Sequence, residues 1–144
     1  MKTMHWRYCI SEDMGYTWTR PEPWGYTDGS LFHSPSSYSN IIKHSNGRYY
    51  WFGNICPTNP DGNRPRFPIV VGEIDPNSLK LIKDSVTIID DRREDDEFEP
   101  SMGIWTSYED RETGDIVMRM GRVWFEPPAR IKRGHAYLYR LKPD

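Results

Sequence analysis

The sequence predicts an all-β fold of short antiparallel strands, and three observations predict it. Short apolar and aromatic runs recur along the chain with turn residues between them. The 144 residues include six Trp and nine Tyr, and the strong helix formers do not cluster at helical spacing. That composition suits strands better than helix bundles. The third observation is the segment Ser11-Glu12-Asp13-Met14-Gly15-Tyr16-Thr17-Trp18, which fills every specified position of the pattern S-x-D-x-G-x-x-W. Ser and Asp side chains hydrogen-bond backbone N–H groups in a tight turn. Gly15 can take a positive φ without steric cost. Trp18 is expected to pack its ring under the hairpin, where a large apolar face gains most.

The elements follow in order. Residues 4–10 read as a short strand entering this turn, and residues 16–19 begin the strand that leaves it. Residues 20–37 are rich in Pro, Gly and Ser and read as a long connection. Residues 39–44 and 49–54 flank Ser45-Asn46-Gly47-Arg48. Asn-Gly between apolar runs is a strong hairpin signal. After a Pro- and Asn-rich loop, residues 67–74 form a strand, and residues 79–89 hold one or two more. An acidic stretch covers residues 90–99. Residues 103–108 and 116–124 make a further hairpin, and residues 135–141 a last strand.

The bulk properties narrow the function classes. The length allows one domain at most. A net charge of −2 gives no support to a nucleic-acid partner. Mean hydropathy is −0.81 and the longest aliphatic run is Ile69-Val70-Val71, so no membrane span is expected. The first residues lack the apolar stretch of a signal peptide, so a cytoplasmic location is the default expectation. Cys9 and Cys56 are expected to be free thiols. His5, His33, His44 and His135 are scattered, so no zinc site is expected, and no cofactor.

Counting strands gives the architecture. Residues 38–89 hold four strands in the span of one propeller blade. Residues 4–24 supply the end of a preceding blade, and residues 99–144 supply three strands of a last one. A closed propeller needs at least four blades, so the expectation is a partial β-propeller. A small self-contained sandwich is the alternative. Open blades leave unpaired strand edges, so self-association is also expected.

These residues resemble the sialidase-like six-bladed propellers, whose repeat is the Asp-box seen at Ser11, Asp13, Gly15 and Trp18. The resemblance covers most of the chain, through the block Gly62-Asn63-Arg64-Pro65-Arg66-Phe67-Pro68-Ile69-Val70-Val71 and the terminal strand Gly134-His135-Ala136-Tyr137-Leu138-Tyr139. It implies hydrolysis of a glycosidic bond to a terminal sialic acid. In that family three Arg grip the sugar carboxylate, a Tyr activated by a Glu is the nucleophile, and an Asp is the acid/base. Arg66 best fits a triad position, with Arg64 beside it. Tyr38, in Tyr38-Ser39-Asn40-Ile41, resembles the nucleophile's local pattern but stands before Arg66 instead of after it. The catalytic Asp, the activating Glu and another triad Arg would belong upstream of this chain.

Two function classes follow. One is the C-terminal part of a sialidase-like glycoside hydrolase acting on glycans, inactive in isolation. The other is a non-catalytic Asp-box propeller module that binds carbohydrate or protein. Arg is suited to reading a carboxylate, since its planar fork donates two parallel hydrogen bonds. Trp24, in a Pro-Trp-Gly loop, is expected to be exposed and to stack on a sugar. The run from Asp90 to Glu99 sets seven carboxylates against two guanidiniums and is expected to be a solvated surface. A calcium loop and a carboxylate acid/base pair remain the alternatives there.

Overall fold

The computed structural model describes residues 3–126 and 130–143. Within them the chain is all-β and antiparallel, in three sheets that do not close on one another. The first pairs β1 (Arg7–Tyr8) with β2 (Glu22–Pro23). The second contains β3 (Asn40–Lys43), β4 (Tyr49–Asn54), β5 (Ile69–Asp75), β6 (Lys80–Leu81) and β7 (Thr87–Asp90). The third orders β10 (Arg130–Leu141), β9 (Ile116–Glu126) and β8 (Glu99–Glu109). The unit expected over residues 99–144 includes residues 127–129 and 144, which lie outside the described residues.

The middle sheet is covered on both faces, and β4 shows why. Its sequence Tyr-Tyr-Trp-Phe-Gly-Asn is apolar at consecutive positions, as a strand buried on both sides must be. Tyr50 and Phe52 point one way, into a core with Ile69 of β5 and Met102, Trp105, Ile116, Met118 and Met120 of the third sheet. Trp51 points the other way, into a core with Trp24, Phe32, Val70, Ile74 and Leu81, against which Trp6, Tyr8 and Tyr26 pack. The molecule is therefore layered in chain order, with the first segments, the middle sheet and the last sheet in succession. The β3–β4 hairpin turns at Gly47, whose φ of 87° is the left-handed conformation that glycine adopts freely.

Two local expectations need correction, and the reading of residues 79–89 as one or two strands holds. The first sheet has only two residues per strand, and residues 16–19 remain in the turn instead of starting a strand. The segment at residues 79–89 splits into β6 and β7 around a 3-10 turn, Lys83–Ser85. Both strands pair with β5, β6 at Ile74 and Asp75 and β7 at Ile69 to Val71. They lie end to end, so the middle sheet has five strands but is four wide. The last hairpin is longer than its apolar signal, because β8 begins at Glu99 and β10 at Arg130.

Candidate functional site

The Ser11–Trp18 segment forms a closed polar turn. Gly15 N donates to Ser11 Oγ at 2.7 Å, and Ser11 Oγ donates to Asp13 Oδ1 at 2.8 Å. Asp13 also accepts from Thr17 N at 2.8 Å and Thr17 Oγ1 at 2.6 Å. The Thr17 hydroxyl, the Thr17 amide and the Ser11 hydroxyl hold the Asp13 carboxyl at about 2, below its ordinary 3.8. Trp18 departs from expectation, being 63% exposed. Its indole N–H reaches Gly15 O at 3.0 Å, so the ring lies on its own turn instead of under the hairpin.

A second cluster forms where the loop after β4 meets the start of β8. Asn54, fully buried at the end of β4, donates from Nδ2 to Pro68 O at 3.0 Å and Met102 O at 3.2 Å, and accepts from Ser37 Oγ at 2.9 Å. Those bonds tie three segments together around Arg66. Arg66 bridges to Ser101 in parallel register, and Met102 N donates to Arg66 O at 3.0 Å. Its guanidinium donates from Nε to Asn63 O at 2.9 Å and from Nη2 to Ser36 O at 3.3 Å. The side chain lies over Gly103, where a Cβ would come 2.9 Å from Nη1 and closer still to Cδ. Among the described residues Arg66 has no carboxylate partner, and its Nη1 makes no hydrogen bond. Arg64 stacks on the Phe125 ring with its guanidinium carbon 3.9 Å from the centroid, and lies 3.9 Å from Glu99. Arg64 thus meets Phe125 and Glu99, while Arg66 meets Ser36, Asn63 and Gly103.

Tyr38 makes no hydrogen bond or ring contact with Arg64 or Arg66 among the described residues, although Ser36, two residues before it, donates its amide to Gly62 O at 2.9 Å. Its half-exposed ring meets the edge of Trp105 at 5.2 Å. Among the described residues its hydroxyl makes no hydrogen bond, so no base stands ready to activate it as a nucleophile.

Trp24 is a correction. It is 6% exposed, packs at 5.1 Å against Trp51 and donates from its indole nitrogen to Leu79 O at 2.7 Å. Its ring faces are taken up by the core, so the Pro-Trp-Gly loop presents no platform for a sugar. A groove of about 810 Å³ lies elsewhere. Phe67, Pro68, Val86 and Ile88 line it beneath Arg92 and Arg93, and neither Arg64 nor Arg66 contributes to it.

The acidic run is solvated at residues 92–95 and 97, and Asp96 is the correction. Asp96 is 7% exposed, and the loop is organised around Arg122, which is fully buried on β9. Arg122 Nη1 donates to Asp90 Oδ1 at 2.7 Å and Asp91 O at 2.8 Å, and Nη2 donates to Asp96 Oδ2 at 2.5 Å. Trp124 Nε1 donates to the other Asp96 oxygen, and Tyr139 donates to Asp90 Oδ2 at 2.6 Å. Burial pushes the Asp96 carboxyl up, but the Arg93 amide, the Trp124 indole and the Arg122 guanidinium together hold it below the ordinary range. Burial and the Asp90 hydrogen bond push the Tyr139 hydroxyl up, away from phenolate. Charge density hid this network. The available signal was alternation, because Arg122 falls in the inward series Ile116, Met118, Met120, Trp124.

Among the described residues no group of three His, Cys, Asp or Glu could hold a metal ion, and no helix is long and apolar enough to cross a membrane. No family model matches the chain, and no match is found among curated proteins or solved structures.

Proposed function

We propose that this chain is a portion of a sialidase-like propeller whose Arg64–Arg66 loop binds the carboxylate of an acidic sugar without hydrolysing it. The observation that carries the reading is the state of Arg66. The guanidinium is fixed by two backbone carbonyls and a glycine cradle, and it keeps a free donor edge with no carboxylate partner among the described residues. A pre-positioned Arg of that kind loses little freedom on accepting an anion. Arg64, two residues before it, is held by Phe125 and only distantly paired with Glu99, and adds a second positive charge to the same loop.

The turn at Ser11–Trp18 and the layering of successive sheets support the propeller part of the proposal. The isolated Tyr38 hydroxyl supports binding over catalysis. The hydrolase reading has one pair in its favour, Tyr139 on Asp90, but that phenol is held protonated and its carboxylate is engaged by Arg122.

A glycan array tests the proposal. Binding to glycans with a terminal acidic sugar, weakened on the order of tenfold to hundredfold by Arg66→Ala, is the expected result. Sugar release from the same glycans would instead favour the hydrolase. Binding that ignores both the acidic group and Arg66→Ala would remove the site.

A further inference from the structure

The strand β10 carries twelve residues, Arg130 to Leu141, and pairs only with β9 among the described residues. Its other edge presents alternate backbone N–H and C=O groups with no strand to receive them. The strand is unusual in charge for a chain of net −2. It holds Arg130, Lys132, Arg133 and Arg140 and no carboxylate. Lys132 pairs with Glu126 at 2.8 Å, and Arg140 with Asp110 at 3.1 Å. Arg133 lies over the Trp124 ring at 4.1 Å with its side chain 54% exposed, and its one carboxylate contact is 3.9 Å from Asp96, whose oxygens Arg122 and Trp124 already use. Arg130 has no ion-pair partner among the described residues. The uncompensated charge is therefore at the first end of the strand. The second end is apolar apart from the paired Arg140, with Ala136, Tyr137, Leu138, Tyr139 and Leu141, and Leu138 is 57% exposed.

We infer that the β10 edge is a docking site for an extended acidic segment of another protein. That partner adds as a strand, with carboxylates against Arg130 and Arg133 and apolar residues against the stretch from Ala136 to Leu138. Main-chain hydrogen bonds would supply affinity, and the charge gradient would set direction and register. The same charges argue against a second copy as occupant. A second β10 edge carries four cations and no carboxylate, so it offers Arg130 and Arg133 no partner, and charged edges of this kind resist self-pairing.

The test uses the full chain and a synthetic eight-residue peptide, capped at both ends, with three glutamates followed by alternating valine and threonine. Fluorescence anisotropy should show saturable binding that weakens as salt rises. The lysine-for-glutamate peptide should bind at least about tenfold more weakly, and so should the glutamate peptide to the double variant Arg130→Glu, Arg133→Glu. A glutamate peptide N-methylated on alternate amides should lose binding, a control that leaves the protein unchanged. Hydrogen exchange should show new protection confined to β10. Equal binding of the two peptides, undiminished binding of the N-methylated one, or no binding at millimolar peptide would overturn the inference. A dimer whose β10 amides are already protected without peptide would overturn it too.

Discussion

Arg66 is fixed by its own loop before any ligand arrives, and Gly103 makes the space. Any side chain at 103 would have to displace Arg66, since a Cβ there meets both Cδ and Nη1. Gly103→Ala should therefore weaken acidic-glycan binding about as much as Arg66→Ala does, while keeping the guanidinium charge. Retained affinity in that variant would show that the cradle is not needed. Asp13 carries a second residue-scale prediction. Its folded pKa of about 2 lies below its ordinary 3.8, so its contribution to the turn is complete above that ordinary value. The contribution is lost as pH falls through about 2. Carboxyl NMR titration of Asp13, with the Gly15 and Thr17 amides followed alongside, checks this. A midpoint near 3.8 with unmoved amides would contradict it. The turn was readable from four residue types, because its chemistry is local. The position of the Trp18 ring was not, because nothing local says which neighbours will cover it.

At the scale of elements, β9 ties its hairpin and the acidic loop together. Arg122 is buried between Asp96 and Asp90, so Asp96→Asn leaves it one carboxylate partner and weakens the bonds that Asp96 accepts. Asp96→Asn should cost about 1–3 kcal/mol in urea unfolding. A loss near zero would mean that Arg122 finds solvent. The Asp96 carboxyl is held low in the folded state. The stability it adds is present at neutral pH and disappears as pH falls below the ordinary carboxylate range. Phe52, fully buried between the middle and last sheets, carries a packing prediction. Phe52→Ala should destabilise by about 3–5 kcal/mol, measured in the same way. Strand positions were legible where apolar residues ran together, as in β4 and β5. They were illegible where the strand was polar, as at the first end of β10. Trp24 was misplaced for a related reason. A Pro-Trp-Gly sequence signals a loop, but Phe32 and Trp51, which bury the ring, come from elsewhere in the chain.

Across the whole molecule, successive segments lie against one another in chain order, so each functional corner is built where two layers meet. The Arg66 corner depends on residues from three separated stretches, around Ser36, Asn63 and Gly103. Sequence alone offered Arg66 and Arg64 as neighbours but could not bring Gly103 beneath Arg66. The central claim is that this corner reads a carboxylate. The most direct measurement is calorimetric titration of the chain with N-acetylneuraminic acid and, separately, with its methyl ester, which keeps the sugar and removes the charge. The free acid should bind, the ester should bind at least about tenfold more weakly, and Arg66→Ala should erase the difference. Equal affinity for acid and ester, or a difference that persists in Arg66→Ala, would contradict the account.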